Sequence, residues 1–345
     1  MPQEALRAPV RGFRVYSPGL IPVDYAKEEI DGYVIDRRVF DKELFTKATE
    51  EGAESLLGAK VIDLTHSKGM IDGVIVRHFG QRKTIKAKLV VGADGVNSQI
   101  ARLTKLRRFY KPSEIDSCFA YEMSHCDLEV PDLLQFLLGS ELCPRGYIWI
   151  FAKGNGRANV GIGIGGGYGE KTAKQYLDHF IKNHKVAQQQ LSKARIIETR
   201  VGALPVCGPN KQNVVDGAML VGDAAGHVHP ITGGGMGYAI VCGSIAGRVA
   251  AQCVAKDKIT TEHLGQYEKE WRKLYGEEFN QSLKLRDLLL KTEDETLDKL
   301  AGIVTGETIV NLTAGKKVKL FLKAMATKDR KLIALMKELR KLRMV

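Results

Sequence analysis

The run Ala218-Met219-Leu220-Val221-Gly222-Asp223, continued through Pro230 into Gly233-Gly234-Gly235-Met236-Gly237, constrains this chain more than any other stretch. Ala218 to Val221 is a short apolar run of the kind that forms a buried strand. An acid follows at once, then small residues, a proline and three consecutive glycines that open a helix. A carboxylate at a strand end accepts hydrogen bonds from hydroxyls. Glycines let backbone N–H groups approach a ligand with no Cβ in the way, and a helix N-terminus adds partial positive charge. Together they suit a nucleotide-like cofactor, which offers a polyol and an anion. The other reading is a buried glycine-rich turn with a capping Asp. Ala224 to Gly247 carries no Asp, Glu, Lys or Arg, but its seven glycines, proline and two histidines make a poor membrane span.

Gly222-Asp223, Pro230 and Gly233-Gly234-Gly235-Met236 resemble the second flavin motif of FAD-dependent oxidoreductases related to p-hydroxybenzoate hydroxylase. Within that superfamily the chain is similar to the geranylgeranyl reductase family, which includes archaeal digeranylgeranylglycerophospholipid reductases. The resemblance covers Asp31 to Arg248 and, more loosely, the rest. It implies that Asp223 binds the flavin ribitol and that Gly235 and Met236 lie against the isoalloxazine ring.

Leu89-Val90-Val91-Gly92-Ala93-Asp94-Gly95-Val96-Asn97-Ser98 is the second motif. A buried strand ends at Ala93, Asp94-Gly95 turns, and Ser98 starts a helix. Alone, Asp-Gly is a common turn. The resemblance puts Asp94 and Gly95 near the FAD pyrophosphate.

Tyr33 to Ile35 reads as a short strand leading into a helix with Val39, Phe40, Leu44, Phe45 and Ala48 on its apolar face and Gly52 as C-cap. In the family an Arg followed by x-x-Phe-Asp contacts the FAD phosphates, and Arg37 stands at that spacing from Phe40-Asp41; the alternative for Arg37 is a surface salt bridge. Lys60 to Leu64, Gly73 to Arg77 and Thr84 to Val91 read as a meander of strands. In relatives the first of these lies beside the adenine, so Val61 offers backbone contacts there.

Tyr147-Ile148-Trp149-Ile150-Phe151-Ala152-Lys153-Gly154 places Tyr147, Trp149 and Phe151 on one face of a strand. It resembles the family's Tyr-x-Trp-x-Phe-Pro-Lys-Gly signature, with Ala152 where proline is usual. The resemblance makes this strand the wall of an apolar tunnel for prenyl chains, which must be bound by shape and burial; the residues alone also allow an aromatic core strand. His227 and His229, beside the glycine turn, read either as proton donors or as residues the turn tolerates. Cys207 reads as a redox thiol or a plain buried one.

The chain has 345 residues, 44% apolar and 27% charged, enough for a sizeable core. Its six cysteines form no CxxC pair and no metal-ligand spacing, which suits reduced thiols and no metal site. The net charge is +12, but eleven Lys/Arg against two Asp/Glu fall within Lys316 to Val345, so the excess sits in the tail rather than in a nucleic-acid surface. Val318, Leu320, Phe321, Met325, Leu332, Leu335, Met336, Leu339 and Leu342 among those charges suggest amphipathic helices. Such helices suit anionic lipid head groups or, equally, a packed helix with a solvated basic face.

A flavoprotein of this class opens with a strand, a G-x-G-x-x-G turn and a helix. No such turn stands near Met1-Pro2-Gln3-Glu4, so the sequence reads as beginning after that unit. The expected architecture is α/β: a FAD-binding, p-hydroxybenzoate hydroxylase-like domain over residues 1–105 and 206–255, an inserted antiparallel β-sheet substrate domain over 106–205, and a helical C-terminus over 256–345. The resemblance implies a FAD-dependent reductase that saturates C=C bonds of a prenylated glycerophospholipid; the reduced cysteines suit a cytoplasmic protein, and the basic amphipathic tail suits contact with the inner membrane face. Reduced FAD would pass a hydride to one alkene carbon and a proton would reach the other, the protein orienting the alkene and excluding water. The catalytic acid and the electron donor are not legible. A flavin monooxygenase of the same superfamily and a cofactor-free prenyl-lipid-binding fragment are the alternatives.

Overall fold

The computed structural model describes residues 2–107, 109–316, 327, 329–342 and 344. The chain forms two compact units. The first comprises Met1–Ser55, Asp116–Ala203 and Asp287–Val345, and the second Leu56–Ile115 and Leu204–Arg286.

In the first unit, β1 (Leu6–Val10) pairs antiparallel with β4 (Gly32–Ile35), which leads into α1 (Arg37–Glu50). Asp36 caps α1 by accepting from the Arg38 N–H at 3.1 Å, satisfying one of the donors that a helix start leaves over. Between them β2 (Gly12–Tyr16) and β3 (Pro22–Ala26) form a hairpin. This hairpin is the edge of a seven-stranded sheet with β9 (Ile115–Ser124), β10 (Leu133–Leu137), β11 (Tyr147–Gly154), β12 (Arg157–Gly165) and β13 (Arg195–Pro205). The strand order is β13-β9-β12-β11-β10-β2-β3, and β2 runs parallel to β10 while β9 to β12 pair antiparallel.

One face of that sheet is the core. Ile148, Ile150, Val160 and Ile162 are fully buried and share a cluster with Leu177 and Phe180 of α3 (Ala173–Asn183) and Val186 and Leu191 of α4 (Lys185–Leu191). α3 begins where a capping box allows it: the Thr172 hydroxyl accepts from the Gln175 N–H while the Gln175 side chain accepts from the Thr172 N–H. The other face is aromatic and shapes β12. A Cβ at Gly161 would fall 2.1 Å from Trp149 Cζ2, so only glycine leaves the indole its place.

In the second unit β5 (Ala59–Ser67), β6 (Met70–His78) and β7 (Gln81–Lys86) form an antiparallel meander. The expected strand Thr84 to Val91 is two elements. β7 ends at Lys86, and β8 (Val90–Gly92) belongs to a second sheet with β14 (Val214–Val215) and β15 (Ala218–Leu220). β8 leads to the short α2 (Gln99–Leu103), and β15 leads through a turn to α5 (Met236–Ala255). α5 buries Cys242, Ile245, Ala246, Val249 and Cys253 in one cluster with Leu264, Tyr267, Trp271 and Phe279 of α6 (Thr261–Leu289). Among the described residues α5 is the one helix long and apolar enough to cross a membrane by length and composition.

The remaining helices are α7 (Asp294–Ala301), α8 (Gly306–Thr313) and α9 (Arg330–Lys341). α9 is amphipathic as expected, but its apolar face is taken. Leu332, Leu335, Met336 and Leu339 are all buried, while Lys331 reaches Glu293 and Asp329 at its N-cap pairs with Lys299 of α7. That face is covered by protein and offers nothing to lipid. Val318, Leu320, Phe321 and Met325 lie outside the described residues.

Candidate functional site

β8 and β15 lie side by side and parallel, with Val90, Val91 and Gly92 opposite Ala218, Met219 and Leu220. The Val221 N–H donates to the Gly92 carbonyl at 3.0 Å, so Asp94 and Asp223 leave the sheet at the same edge. The carboxyl ends of neighbouring parallel strands are where open α/β sheets bind ligands.

After β15 the chain makes a 3-10 turn, Gly222–Ala225, entered and left by glycines at φ +58° and +75°. The loop back to α5 is tied by Gly233 N–H to the His229 carbonyl and His229 N–H to the Gly234 carbonyl, each 2.9 Å. It delivers Gly235 to the N-cap of α5, where no side chain caps the helix and the first N–H groups have no partner within it. A Cβ at Gly235 would meet Asp223 Oδ1 at 3.2 Å and Val228 Cγ2 at 3.4 Å, so glycine leaves a cradle beside the carboxylate. Met236 follows, 43% exposed. A carboxylate, a cradle without Cβ and an uncapped helix start fit a cofactor with a polyol and a polar ring edge.

Asp94 is spent on its own turn. Its Oδ2 accepts the N–H groups of Gln99 at 2.7 Å and Ile100 at 3.1 Å, and its Oδ1 accepts the Ser98 hydroxyl. Gly95 turns at φ +73°. The carboxylate thereby holds the start of α2 and fixes the loop at the strand end. Val61 sits on β5 opposite Val76, packed against the cluster around Leu64 and Ile71.

Arg107, which the sequence does not single out, joins the two motifs. Its guanidinium donates to the Val96 carbonyl at 2.9 Å and to the Ala224 carbonyl at 3.3 Å, and lies over the Tyr110 ring at 3.8 Å. Burial lowers its pKa, and its Nε has no hydrogen-bond partner among the described residues. In Lys105-Leu106-Arg107-Arg108 it reads as one of several solvated cations, and only the fold distinguishes it.

Both histidines beside the turn are core residues. His227 is fully buried among Tyr267, Trp271 and Phe279, and burial pushes its pKa down to about 3. His229 Nδ1 accepts the N–H groups of Ile231 and Thr232, and its Nε2 lies 3.0 Å from the Ser282 hydroxyl. Its ring is a tie in the loop. Cys207 is half-buried, and burial raises its pKa, which works against thiolate chemistry.

The remaining candidates stand in the first unit. Arg37 is the first residue of α1 and makes a two-pronged ion pair with Asp41 at 2.9 Å, both about half exposed. Tyr147, Trp149 and Phe151 share one face of β11. Phe136 of β10 lies edge-on to Tyr147 and Phe151 at 5.4 Å each, and Trp149 Nε1 donates to Asn159 Oδ1 at 2.6 Å. The rings form a continuous partly buried row, and burial raises the Tyr147 pKa, keeping its hydroxyl neutral.

Comparison with known proteins agrees with this geometry. Residues 30–135 match the FAD binding domain, residues 114–204 the geranylgeranyl reductase catalytic domain, and residues 172–299 the lycopene cyclase protein family. The digeranylgeranylglycerophospholipid reductase of Methanocaldococcus jannaschii is 38% identical over 336 residues, covering 97% of this chain and 83% of that one. Digeranylgeranylglycerophospholipid reductase 2 of Methanopyrus kandleri is 38% identical over 312 residues, covering 90% and 78%. Among solved structures, a geranylgeranyl bacteriochlorophyll reductase-like protein from Thermoplasma acidophilum superposes with a TM-score of 0.86 at 31% identity, covering 99% of this chain and 85% of that one. A flavin-dependent brominase, at 17% identity and a TM-score of 0.70 over 94% of this chain and 83% of its own, shares the fold alone. The chain belongs to the digeranylgeranylglycerophospholipid reductase family.

Proposed function

We propose that this protein is a FAD-dependent reductase that saturates C=C bonds in the geranylgeranyl chains of an archaeal glycerophospholipid. The observation that carries the cofactor half is the approach of Asp223 to Gly235 at the uncapped start of α5. In this reading the Asp223 carboxylate accepts from the ribitol hydroxyls. Gly235 and Met236 offer the backbone on which the ring system rests, and Asp94 and Gly95 shape the loop on the diphosphate side. Arg37 gives up part of its pairing with Asp41 to a phosphate, and Val61 offers its backbone to the adenine. Bound FAD, once reduced, supplies the hydride.

The substrate half rests on the row Tyr147, Trp149 and Phe151. A polyisoprenoid presents only apolar surface, and a partly buried aromatic face binds it by area and shape while excluding water. Neither His227 nor His229 has the exposure needed to protonate a substrate carbon. The proton therefore comes from elsewhere.

The test is to incubate the FAD-loaded chain with dithionite and a digeranylgeranylglycerophospholipid and follow the lipid by mass spectrometry. The expected product gains two hydrogens per double bond reduced. A hydroxylated product, or unchanged lipid with fully reducible bound flavin, would overturn the proposal.

A further inference from the structure

The aromatic row of β11 does not end at Phe151. Lys153 continues it on the same face, and its ammonium is buried against Glu122 of β9, with Nζ 2.7 Å from Oε2 and both side chains 4% exposed. At two residues per repeat, Tyr147 to Lys153 spans about 20 Å of strand, apolar for most of its length and charged at one end. Beyond Lys153 the backbone turns through Gly154, Asn155 and Gly156, all at positive φ (+76°, +51° and +66°). This turn sets Gly154 opposite Arg157, and both sides of it line one cavity of about 150 Å³ with Glu122 and Arg7 of β1.

The charges around the cavity do not cancel. Glu122 also accepts from Arg200 at 3.4 Å, Arg200 pairs with Glu198 at 3.0 Å, and Glu198 pairs with Arg38 at 3.4 Å. Arg7 pairs with Asp36 at 3.2 Å. Arg157 is exposed and makes no ion pair among the described residues. Of the charged side chains that line the cavity, Arg7, Lys153 and Arg157 stand against Glu122 alone, an excess of two positive charges that counting their paired neighbours Arg38, Arg200, Glu198 and Asp36 leaves unchanged. A buried Lys–Glu pair is a weak source of stability, since the desolvation of both ions offsets their attraction. With two of its three N–H donors left after Glu122, Lys153 can serve a second anion.

We infer that this cavity is a binding site for a phosphate ester, taking the anionic head of an amphiphile whose apolar chain lies along Tyr147, Trp149 and Phe151. The inference rests on the reductase reading for its apolar half. Arg157 and Arg7 approach the phosphate from the open side and Lys153 from the floor, with Glu122 holding Lys153 in place. The chemistry is common to a lipid headgroup phosphate and to free phosphate, and the two differ in what else they contact.

The test uses the full FAD-loaded chain and phosphorus NMR, titrating glycerol phosphate and inorganic phosphate separately into wild type, Arg157→Gln and the double variant Lys153→Met/Glu122→Gln. Saturable binding in wild type, weakened about tenfold or more in each variant, is expected from the loss of a charge-assisted hydrogen bond. Tighter binding of the glycerol ester assigns the site to a lipid headgroup, and equal or tighter binding of inorganic phosphate assigns it to free phosphate. Should the double variant fail to fold, Arg157→Gln decides, because its side chain is exposed. No saturable binding, or binding that no variant weakens, overturns the inference. Failure of the reductase reading looks different: no alkene is reduced while phosphate binding and its variant sensitivity persist.

Discussion

The Val221 N–H donates to the Gly92 carbonyl at 3.0 Å, and with that bond two loops far apart in the chain become one edge. Asp94 and Asp223 follow these residues closely, yet they do different work. Asp94 is consumed by the N–H groups of α2, whereas Asp223 faces the glycine that starts α5. Arg107 holds the two loops together through the Val96 and Ala224 carbonyls.

Replacing Asp223 by Ala should weaken FAD binding tenfold or more, about the worth of one hydrogen bond to a charged group. Equilibrium titration of the flavin absorbance measures it; unchanged affinity would remove Asp223 from the site.

Arg37→Ala separates structure from binding. Its pair with Asp41 is an exposed i,i+4 contact, worth no more than about 0.5 kcal/mol. Urea unfolding without added FAD should therefore barely respond, while FAD affinity falls. A large loss of stability with intact affinity would make Arg37 a structural residue.

Gly161→Ala sets a methyl 2.1 Å from Trp149 Cζ2 and 2.8 Å from Ala120 Cβ. The indole must move, at a cost of about 1–3 kcal/mol for overpacking. Tryptophan fluorescence reports it directly, since Trp271 in the second unit is the only other source. An unaltered emission spectrum with wild-type stability would contradict the tight packing of that strand pair.

His227 makes stability depend on pH. Its pKa lies near 3 in the folded protein and about 6.5 when unfolded, so the unfolded chain binds the extra proton first. Its contribution is fully present above pH about 6.5 and is lost as the pH falls toward 3. At pH 5 the loss is about 2 kcal/mol. His227→Phe should flatten that part of the profile, and denaturant melts of both proteins at pH 7 and pH 5 compare them. Equal slopes would place the titration on another group.

The two candidate motifs were legible because each is written in consecutive or alternating residues. Apolar run, acid, glycines and helix start follow one another in Ala218 to Gly237, and Tyr147, Trp149 and Phe151 declare their shared face by period alone. What the residues did not disclose is which partners cover them. Arg107 looks like any surface cation until the fold places it on the Val96 and Ala224 carbonyls, and the signature that contains Lys153 does not name Glu122 as its partner. Gly12 to Pro18 alternates like a strand ending in a turn, but nothing in it names β10 as its neighbour. The apolar face of α9 is plain in the spacing of Leu332, Leu335, Met336 and Leu339, while its burial inside the protein is a tertiary fact. Thr84 to Val91 looks continuous because propensity does not register that Ala87 bonds back to Asp72 before the chain enters another sheet.

The parallel pairing of β8 with β15 also sets a timetable. During synthesis β8 emerges long before its neighbour, with the whole of Asp116–Ala203 made in between. Closing so long a loop is entropically costly and slow compared with forming the β5-β6-β7 meander or the β11-β12 hairpin. The edge that carries Asp94 and Asp223 therefore cannot be completed until Leu220 has been made, well after the meander. A nascent chain interrupted between Lys86 and Leu220 can own a finished antiparallel meander and still lack the paired strand ends from which Asp94 and Asp223 emerge.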